Sequence, residues 1–505
     1  MHLHGIYCAA ALVALVCAAF GASGAVDTDV ESTGGNAVAT SDDLSFRDCE
    51  LSSYERSRRV DCATLPVPED YDNTGGEQLS LRVVRLAARN GRGTETPLLA
   101  IAGGPGQAAS EAFLYLDRML PAVARKRDIY LVDQRGTGGS NPQHCELDDA
   151  ALMQVEPDPE AIRASAQACL DQFDGNPEQY TTSVAIRDLE QVRRALGVPR
   201  WHLFGVSYGT RVVQHYMHRH PQVIRTAVLD SVVPANAALG PDIAMQSQRA
   251  LDTFLARCAD DDDCNRAFPD LAEGLDSLLT RLDAAPLDIR FEDIRTGGVR
   301  DMRFTRAHLV GVLRLALYQS EQLATLPPML YQAYAQDNFT ALARTADALA
   351  EELAETLAIG MHNAVVCTED VPFFALDDRQ REALAATYMG DLVVRVLEVT
   401  CDVWPRGRMD ADLRTPVSAD IPTLLLTGEA DPITPPAYAE AVLAHLPHAR
   451  HLVAPGQGHF VSPRGCIPGI IAQFIGTERV EGLETACLQR LRPTPLFVNF
   501  NGPTP

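Results

Sequence analysis

Residues 201–209, Trp-His-Leu-Phe-Gly-Val-Ser-Tyr-Gly, decide the fold. The apolar run Trp201–Phe204 predicts a buried strand, and apolar residues at helical spacing follow Gly209. Between them, the pattern G-x-S-x-G predicts a sharp strand-to-helix turn, in which two glycines relieve crowding and Ser207 is held in a strained, exposed position. The amino terminus of the helix would add partial positive charge beside that serine. The stretch therefore predicts a nucleophilic serine at the carboxyl end of a strand.

Strand and helix signals alternate on both sides of this turn. Because most of the strand candidates are nearly continuous apolar runs, they predict an α/β fold with a mostly parallel sheet covered on both faces. One intervening helix is predicted over Thr182–Leu196. The other predicted strands are Leu79–Leu86, Pro97–Ala102, Asp128–Val132, Thr226–Leu229, Thr423–Leu426 and Arg450–Val453.

The alternation stops over residues 234–419, where helix signals dominate. This segment predicts a large helical cap inserted between two strands of the sheet. It divides the chain into a first core part (42–233), the cap (234–419), a second core part (420–492) and a tail (493–505). The predicted cap helices are Ile243–Cys258, Leu271–Leu282, Arg306–Tyr318, Phe339–Met361 and Arg379–Val399.

A serine hydroxyl needs a base to become a good nucleophile. His459 ends the turn Gly456-Gln457-Gly458-His459 just after the strand Arg450–Val453, and Asp431 follows the strand Thr423–Leu426. Both therefore lie beyond carboxyl ends of strands, where open α/β sheets build their sites. We predict His459 as the base and Asp431 as its acid partner. Glu429 remains a competing acid, and His459 as a structural loop residue is the alternative.

The turn Gly103-Gly104-Pro105-Gly106-Gln107 follows the strand Pro97–Ala102. A glycine-rich turn there would let backbone N–H groups face a reacting carbonyl, so Gly104, preferred over Gly103, and Tyr208 are the predicted oxyanion donors. A plain tight turn is the alternative. A phosphate cradle is excluded because neither a Lys-Ser/Thr pair nor G-x-G-x-x-G follows.

The segment Asp133-Gln134-Arg135-Gly136-Thr137-Gly138-Gly139-Ser140, together with the glycine turn and the serine turn, resembles the signatures of proline iminopeptidases, which have the α/β-hydrolase fold. The long helical insertion and the late cysteines look more like the secreted tripeptidyl-aminopeptidase branch. Ala102 stands where iminopeptidases have His, which weakens the transfer of strict proline specificity.

The resemblance implies an aminopeptidase that cleaves short peptides from a free amino terminus through an acyl-enzyme, without a cofactor or metal. Such enzymes hold the substrate ammonium with carboxylates of the cap, and Glu369 and Asp370 are the candidates here. Local caps at a helix end are the alternative role for both. A carboxylesterase or lipase could use the same triad, and a noncatalytic binding protein is a further alternative.

The amino-terminal residues and the charge bear on location and partners. An apolar run over residues 6–20, followed by small residues up to Ala25, predicts a signal peptide over 1–25 and a secreted or periplasmic protein. An uncut membrane anchor and a lipoprotein site at Cys17 are the alternatives. No later segment suits a membrane span, so stable membrane association is not expected. The net charge of −24 argues against a nucleic-acid partner.

Cysteine usage fits export. Of the 12 cysteines, Cys8 and Cys17 lie in the predicted signal peptide, and the even remainder contains no C-x-x-C pair. We therefore predict disulfides between nearest neighbours, with Cys258–Cys264 the clearest pair. Calcium binding by residues 260–263 is the alternative reading of the acidic loop between those two cysteines.

Overall fold

A computed structural model describes residues 44–53, 56–91, 93, 95–145, 158–294 and 296–504. The predicted signal peptide lies outside these residues. Within the part of the chain described, no helix combines the length and the apolar character that a membrane span requires.

A nine-stranded sheet forms the centre of the core, in the order β1-β2-β3-β5-β4-β6-β7-β10-β11. The pairs from β4 and β5 through to β11 are parallel, whereas β1, β2 and β3 add an antiparallel edge. The strands are β1 Arg47–Ser53, β2 Arg56–Pro68, β3 Gln78–Leu86, β4 Leu98–Ile101, β5 Ile129–Val132, β6 Trp201–Val206, β7 Ile224–Asp230, β10 Thr423–Gly428 and β11 Ala449–Ala454.

All seven predicted strands are present in this sheet. Alternate side chains of one strand pack into different apolar layers: Leu203 of β6 belongs to one layer and Phe204 to the other. Both faces of the sheet are therefore buried, as the continuous apolar runs predict. The sequence did not reveal β1 and β2, because most of their side chains are exposed or half-buried and form no apolar run.

The helices flank the sheet or form the cap. They are α1 Ala109–Ala112, α2 Leu116–Met119, α3 Pro159–Asp171, α4 Thr182–Ala195, α5 Tyr208–Arg219, α6 Pro241–Asp260, α7 Asp262–Ala267, α8 Leu271–Ala284, α9 Arg306–Tyr318, α10 Ser320–Ala324, α11 Leu326–Gln336, α12 Thr340–Thr356, α13 Ile359–Glu369, α14 Asp378–Ala385, α15 Leu392–Val403, α16 Pro436–Leu443 and α17 Ile467–Thr477.

Helices α6 to α15 all come between β7 and β10, in the segment predicted as the cap. Two predicted cap helices are wrong in length. The helix predicted over Phe339–Met361 ends at Thr356 and restarts at Ile359, because Leu357 pairs with Gln107 of the glycine turn. The helix predicted over Arg379–Val399 is divided into α14 and α15, with Gly390 at φ +62° between them.

The cap also contains a hairpin that the sequence reading missed, formed by β8 (Leu287–Glu292) and β9 (Val299–Phe304). Most of its residues alternate between exposed and half-buried, and the buried ones are Phe291, next to the end of β8, and Phe304, the last residue of β9. The hairpin therefore leaves no apolar run in the sequence.

Five disulfides join nearest neighbours in the chain, which confirms the predicted pairing: Cys49–Cys62, Cys145–Cys169, Cys258–Cys264, Cys367–Cys401 and Cys466–Cys487. In the acidic loop, the Asp261 carboxylate accepts hydrogen bonds from the N–H groups of Asp263 and Cys264 and so caps α7. Helix capping therefore accounts for an aspartate at this position.

Candidate active site

Ser207 occupies the turn between β6 and α5 with φ +56° and ψ −126°, a strained conformation for a residue other than glycine. The turn is tight because the helix starts directly against β4: a methyl group at Gly209 would lie 2.4 Å from the carbonyl oxygen of Ile101. The Ser207 N–H donates to the carbonyl of Asp230 at the end of β7 (2.9 Å). Contrary to the predicted exposed position, the Ser207 side chain is only 3% exposed, because the glycine turn and the cap enclose the site.

His459 and Asp431 form a buried pair. The Nδ1 atom of His459 lies 2.9 Å from Oδ2 of Asp431 and 3.1 Å from its Oδ1. Oδ1 also accepts from the N–H groups of Ile433 and Thr434, and the Thr434 hydroxyl donates to Oδ2. Burial opposes the charged carboxylate, but the charge of His459 and these hydrogen bonds outweigh it and lower the pKa of Asp431. Asp431 is thus held ionised and in line with the imidazole.

The three predicted residues lie at the same edge of the sheet, because they follow the carboxyl ends of β6, β10 and β11, which are parallel strands with β7 between β6 and β10. Among the described residues, neither the Ser207 hydroxyl nor Nε2 of His459 has a hydrogen-bond partner, so no hydrogen bond joins these two atoms. Such contacts are often long in a free enzyme and shorten when substrate binds. The geometry therefore provides an oriented imidazole and a nearby buried hydroxyl.

The competing acid, Glu429, lies elsewhere. Its side chain is exposed and accepts a hydrogen bond from the N–H of Gly456 (2.8 Å). Asp431, in contrast, contacts the imidazole directly. The structure thus favours Asp431 as the partner of His459.

The glycine turn after β4 lies against the serine. A methyl group at Gly103 would stand 3.1 Å from Cβ of Ser207, so Gly103 is the glycine in closest approach. Gly104 comes next, at φ +105°, and a side chain there would meet the N–H of Gly106 at 2.6 Å. That the N–H of Gly104, and not that of Gly103, faces the oxyanion stays a prediction. The same holds for the N–H of Tyr208, at the first position of α5.

The segment Asp133–Ser140 contacts the residues that follow the glycine turn. The Asp133 carboxylate accepts from the N–H and the hydroxyl of Ser110, both at 2.8 Å, at the start of α1. Arg135 forms a fully buried ion pair with Asp188 at 2.7 Å. Asp133 thus holds the start of α1, just after the glycine turn, and Arg135 holds its own segment against α4.

Glu369 and Asp370 lie at the end of α13, but their carboxylates have partners within the chain. Asp370 pairs with Arg211 of α5 at 2.8 Å and accepts from the N–H of Leu239. Glu369 accepts from the N–H and the hydroxyl of Thr182, both at 2.7 Å. Both side chains are 0% exposed. The prediction that they hold a substrate ammonium is therefore corrected: Asp370 ties the cap to α5, the helix that follows Ser207, and Glu369 ties it to the start of α4.

Two positioning residues were missed by the sequence reading. The Asp230 carboxylate accepts from the N–H groups of Val461 and Ser462, and the Ser231 hydroxyl accepts from the N–H of Phe460. These contacts hold the loop that follows His459. Asp230 could have been found by the rule that led to Asp431, because it too ends an apolar strand at the same edge of the sheet.

The cap contacts His459 through Tyr318. The N–H of His459 donates to the carbonyl of Tyr318, the last residue of α9 (2.8 Å), and the Tyr318 ring packs edge-on against the imidazole at 5.1 Å.

The parallel α/β core, the serine turn and the His–Asp pair at one sheet edge define a hydrolase of the α/β class. The chain belongs to the alpha/beta hydrolase fold family, whose sequence model matches residues 96–464.

Curated relatives agree with that class. The serine protease Hip1 of Mycobacterium tuberculosis is 26% identical over 452 residues, which covers 82% of this chain and 84% of that protein. The tripeptidyl aminopeptidase of Streptomyces coelicolor is 28% identical over 38% of each chain. Carboxylesterase B of Mycobacterium tuberculosis is 31% identical over 41% of this chain and 44% of that protein. The resemblance to serine peptidases with this fold is thereby confirmed.

Proposed function

We propose that this hydrolase is a secreted serine aminopeptidase that removes residues from the free amino terminus of short peptides. The observation that carries the proposal is the burial of the site: Ser207 and His459 are each 3% exposed, and Asp431 is 1% exposed. The segment of a folded protein cannot reach a hydroxyl enclosed in this way, whereas a short peptide can be admitted by a modest movement of the cap. The relatives described as a serine protease and a tripeptidyl aminopeptidase support the peptidase reading.

In the proposed mechanism, Nε2 of His459 takes the proton of Ser207 as the hydroxyl attacks the scissile carbonyl. Asp431 keeps Nδ1 protonated and stabilises the imidazolium. The N–H groups of Tyr208 and Gly104 hold the oxyanion at the start of α5, where the helix dipole adds positive charge. His459 then gives its proton to the departing amine, and water repeats the attack on the acyl-enzyme.

A different cap carboxylate suits the substrate ammonium. The side chain of Glu352 on α12 is half-buried, and burial together with the neighbouring charge of Glu355 raises its pKa. It lies just before Leu357, which pairs with Gln107 of the glycine turn. A desolvated carboxylate gains a charge-assisted hydrogen bond from an ammonium group. We therefore propose Glu352 in place of Glu369 and Asp370.

The decisive experiment compares one peptide nitroanilide with a free amine and with an acetylated amine. We expect the native enzyme to favour the free amine, and Glu352→Gln to reduce that preference. Glu382→Gln, at an exposed glutamate on α14, is the matched control. Equal cleavage of both substrates by the native enzyme would refute the exopeptidase proposal.

A carboxylesterase is the second candidate, because one relative carries that description and the same triad cleaves esters. Nitrophenyl esters of short and long acids, assayed beside the nitroanilides, separate the two. Efficient turnover of esters alone would favour the esterase.

Export is part of the proposal. Five disulfides are typical of an oxidising compartment. Sequencing the amino terminus of the protein recovered from the producing cells tests this, with Val26 the expected first residue.

A further inference from the structure

Arg314 is a fully buried cation that has no carboxylate partner in the described part of the chain. It lies on α9, its side chain is 0% exposed, and a guanidinium group offers five donors. One Nη donates to the Tyr318 hydroxyl (3.2 Å) and the other approaches the Met389 sulfur (3.9 Å), while Nε has no partner. Among the described residues no carboxylate lies within ion-pair distance of it. Burial of an uncompensated charge is costly, so this arrangement calls for an anion.

The pairing of other buried arginines makes Arg314 unusual. Arg135 and Arg211 are equally enclosed, and each contacts an aspartate through two nitrogens at 2.7 to 3.1 Å. The fold thus neutralises those two guanidinium groups with its own carboxylates. Arg314 has no such carboxylate among the residues that the structure describes.

A second unsatisfied polar group lies beside Arg314. The Tyr388 hydroxyl is buried and without a hydrogen-bond partner among the described residues. Tyr388 directly precedes Met389, whose sulfur lies 3.9 Å from a guanidinium nitrogen of Arg314, so the two residues lie in the same part of the cap. Burial raises the pKa of Tyr388, and the positive charge of Arg314 opposes that rise. Ser247 is also near, but its hydroxyl is directed to the carbonyl of Pro432 (3.3 Å). Within the described residues, Nε of Arg314 and the Tyr388 hydroxyl are therefore two buried donors without a hydrogen-bond acceptor.

These donors adjoin the catalytic loops on the side of His459. Pro432, which Ser247 contacts, directly follows Asp431. Tyr318 joins Arg314 to His459, because its hydroxyl accepts from the guanidinium while its ring packs against the imidazole. In the proposed mechanism His459 protonates the departing amine, so the leaving fragment lies on this side of the scissile bond.

We propose that Arg314, assisted by the Tyr388 hydroxyl, binds a carboxylate of the leaving fragment. This inference rests on the proposed peptidase function. The carboxylate is either the carboxyl terminus of a short peptide or an acidic side chain at its start. A subsite of this kind would make the enzyme select short peptides by their length or by acidic residues beyond the cleaved bond.

The test uses pairs of peptides with a free amine that differ only in the leaving fragment. One pair has a carboxyl-terminal acid or its amide; a second pair, amidated, has Glu or Gln after the cleaved bond. A bond from a charged group predicts that kcat/KM of the native enzyme favours the acid in one pair by about tenfold to a hundredfold. The pair that responds identifies the source of the carboxylate.

Arg314→Gln is expected to bring that ratio close to one, and Arg314→Lys to retain part of it. Arg249→Gln, which removes an exposed arginine on α6, should keep the native ratio. Because the ratio is taken within one variant, a general loss of activity does not affect it. If Arg314→Gln does not fold, Tyr388→Phe should still reduce the ratio several-fold. Calorimetry with Ser207→Ala measures the same preference as binding of the acid over the amide.

Ratios near one in the native enzyme for both pairs would overturn the proposal, and so would a native ratio that Arg314→Gln and Tyr388→Phe leave unchanged. Failure of the aminopeptidase proposal has a different signature, which is equal cleavage of free and acetylated amines. That result leaves the acid-to-amide ratio intact as a test of Arg314.

Discussion

The carbonyl oxygen of Tyr318 in the cap accepts a hydrogen bond from the N–H of His459 in the core, at 2.8 Å. The loop that carries the proposed base is therefore held by both halves of the protein: from the cap by α9 and from the core by Asp230. A movement of α9 away from the core would break this hydrogen bond and release the loop that carries His459 on the cap side. The cap is consequently part of the catalytic geometry as well as a cover.

The ring of Tyr318 should matter more than its hydroxyl for chemistry on a substrate without a carboxylate. Edge-on aromatic contacts contribute about 0.5–1.5 kcal/mol, so Tyr318→Ala should lower kcat on an aminoacyl nitroanilide by about two- to tenfold. Tyr318→Phe keeps the ring and should retain most of the native kcat. Steady-state kinetics on both variants check this. Equal losses in both would show that the ring does not orient His459.

Loss of the charge on Asp431 should disable the proposed base. Asp431→Asn keeps the size of the side chain but no longer fixes the imidazole tautomer, so kcat should fall by about 10⁴-fold. Ser207→Ala should fall at least as far. Glu429→Gln, at the exposed acid two residues earlier, is the matched control and should remain near native. A fully active Asp431→Asn would remove Asp431 from the triad.

Asp230 should act by positioning. Asp230→Asn places an amide NH₂ against the N–H groups of Val461 and Ser462, so one or more donors lose their acceptor and the loop after His459 loosens. We expect kcat to fall by about tenfold or more with a smaller change in KM, and unfolding to become easier by about 1–3 kcal/mol. Kinetics and urea unfolding measure both. Asp420→Asn, an exposed aspartate before β10, should change neither.

Glu369 should make stability depend on pH. Burial raises its pKa from 4.5 to about 7, although Arg211 opposes the rise. Between these values the folded protein binds more protons at Glu369 than the unfolded chain does, so this contribution to stability is full below about pH 4.5 and is lost as pH rises through about 7. Relative to Glu369→Gln, the native protein should therefore lose about 3 kcal/mol between pH 4 and 8. Urea unfolding at several pH values tests this, and a constant difference between the two proteins would contradict it.

The disulfides should contribute to the free energy of unfolding by amounts that increase with the length of the loops that they close. Cys367–Cys401 spans 34 residues and Cys258–Cys264 spans 6. Chain-entropy arguments give about 4 kcal/mol for the long loop and about 2 kcal/mol for the short one. The double variant C367A/C401A should therefore unfold at lower urea concentration than C258A/C264A. The reverse order would mean that native-state contacts, not loop closure, set the effect.

Much of the core was predictable because its strands are covered on both faces. The strands Leu98–Ile101 and Trp201–Val206 are entirely buried, so nearly all of their residues are apolar and form a continuous run in the sequence. The strands β1 and β2 contain no such apolar run, since most of their side chains are exposed or half-buried. In the cap, the break between α12 and α13 was hidden because its cause is Gln107, a residue some 250 positions earlier in the chain.

The sequence by itself determined seven of the nine strands of the sheet, the sharp turn at Ser207 and the placement of His459 and Asp431 beyond their strands. Each of these follows from local chemistry: a glycine spacing, an apolar run, an acid or a histidine in the next turn. Only the tertiary structure decided between Asp431 and Glu429, turned Glu369 and Asp370 inward onto Thr182 and Arg211, and left Arg314 without a carboxylate partner among the residues that the structure describes. The sequence shows which side chains are charged. Whether a charged side chain has an ion-pair or hydrogen-bond partner depends on which distant residue folding brings within about 3 Å.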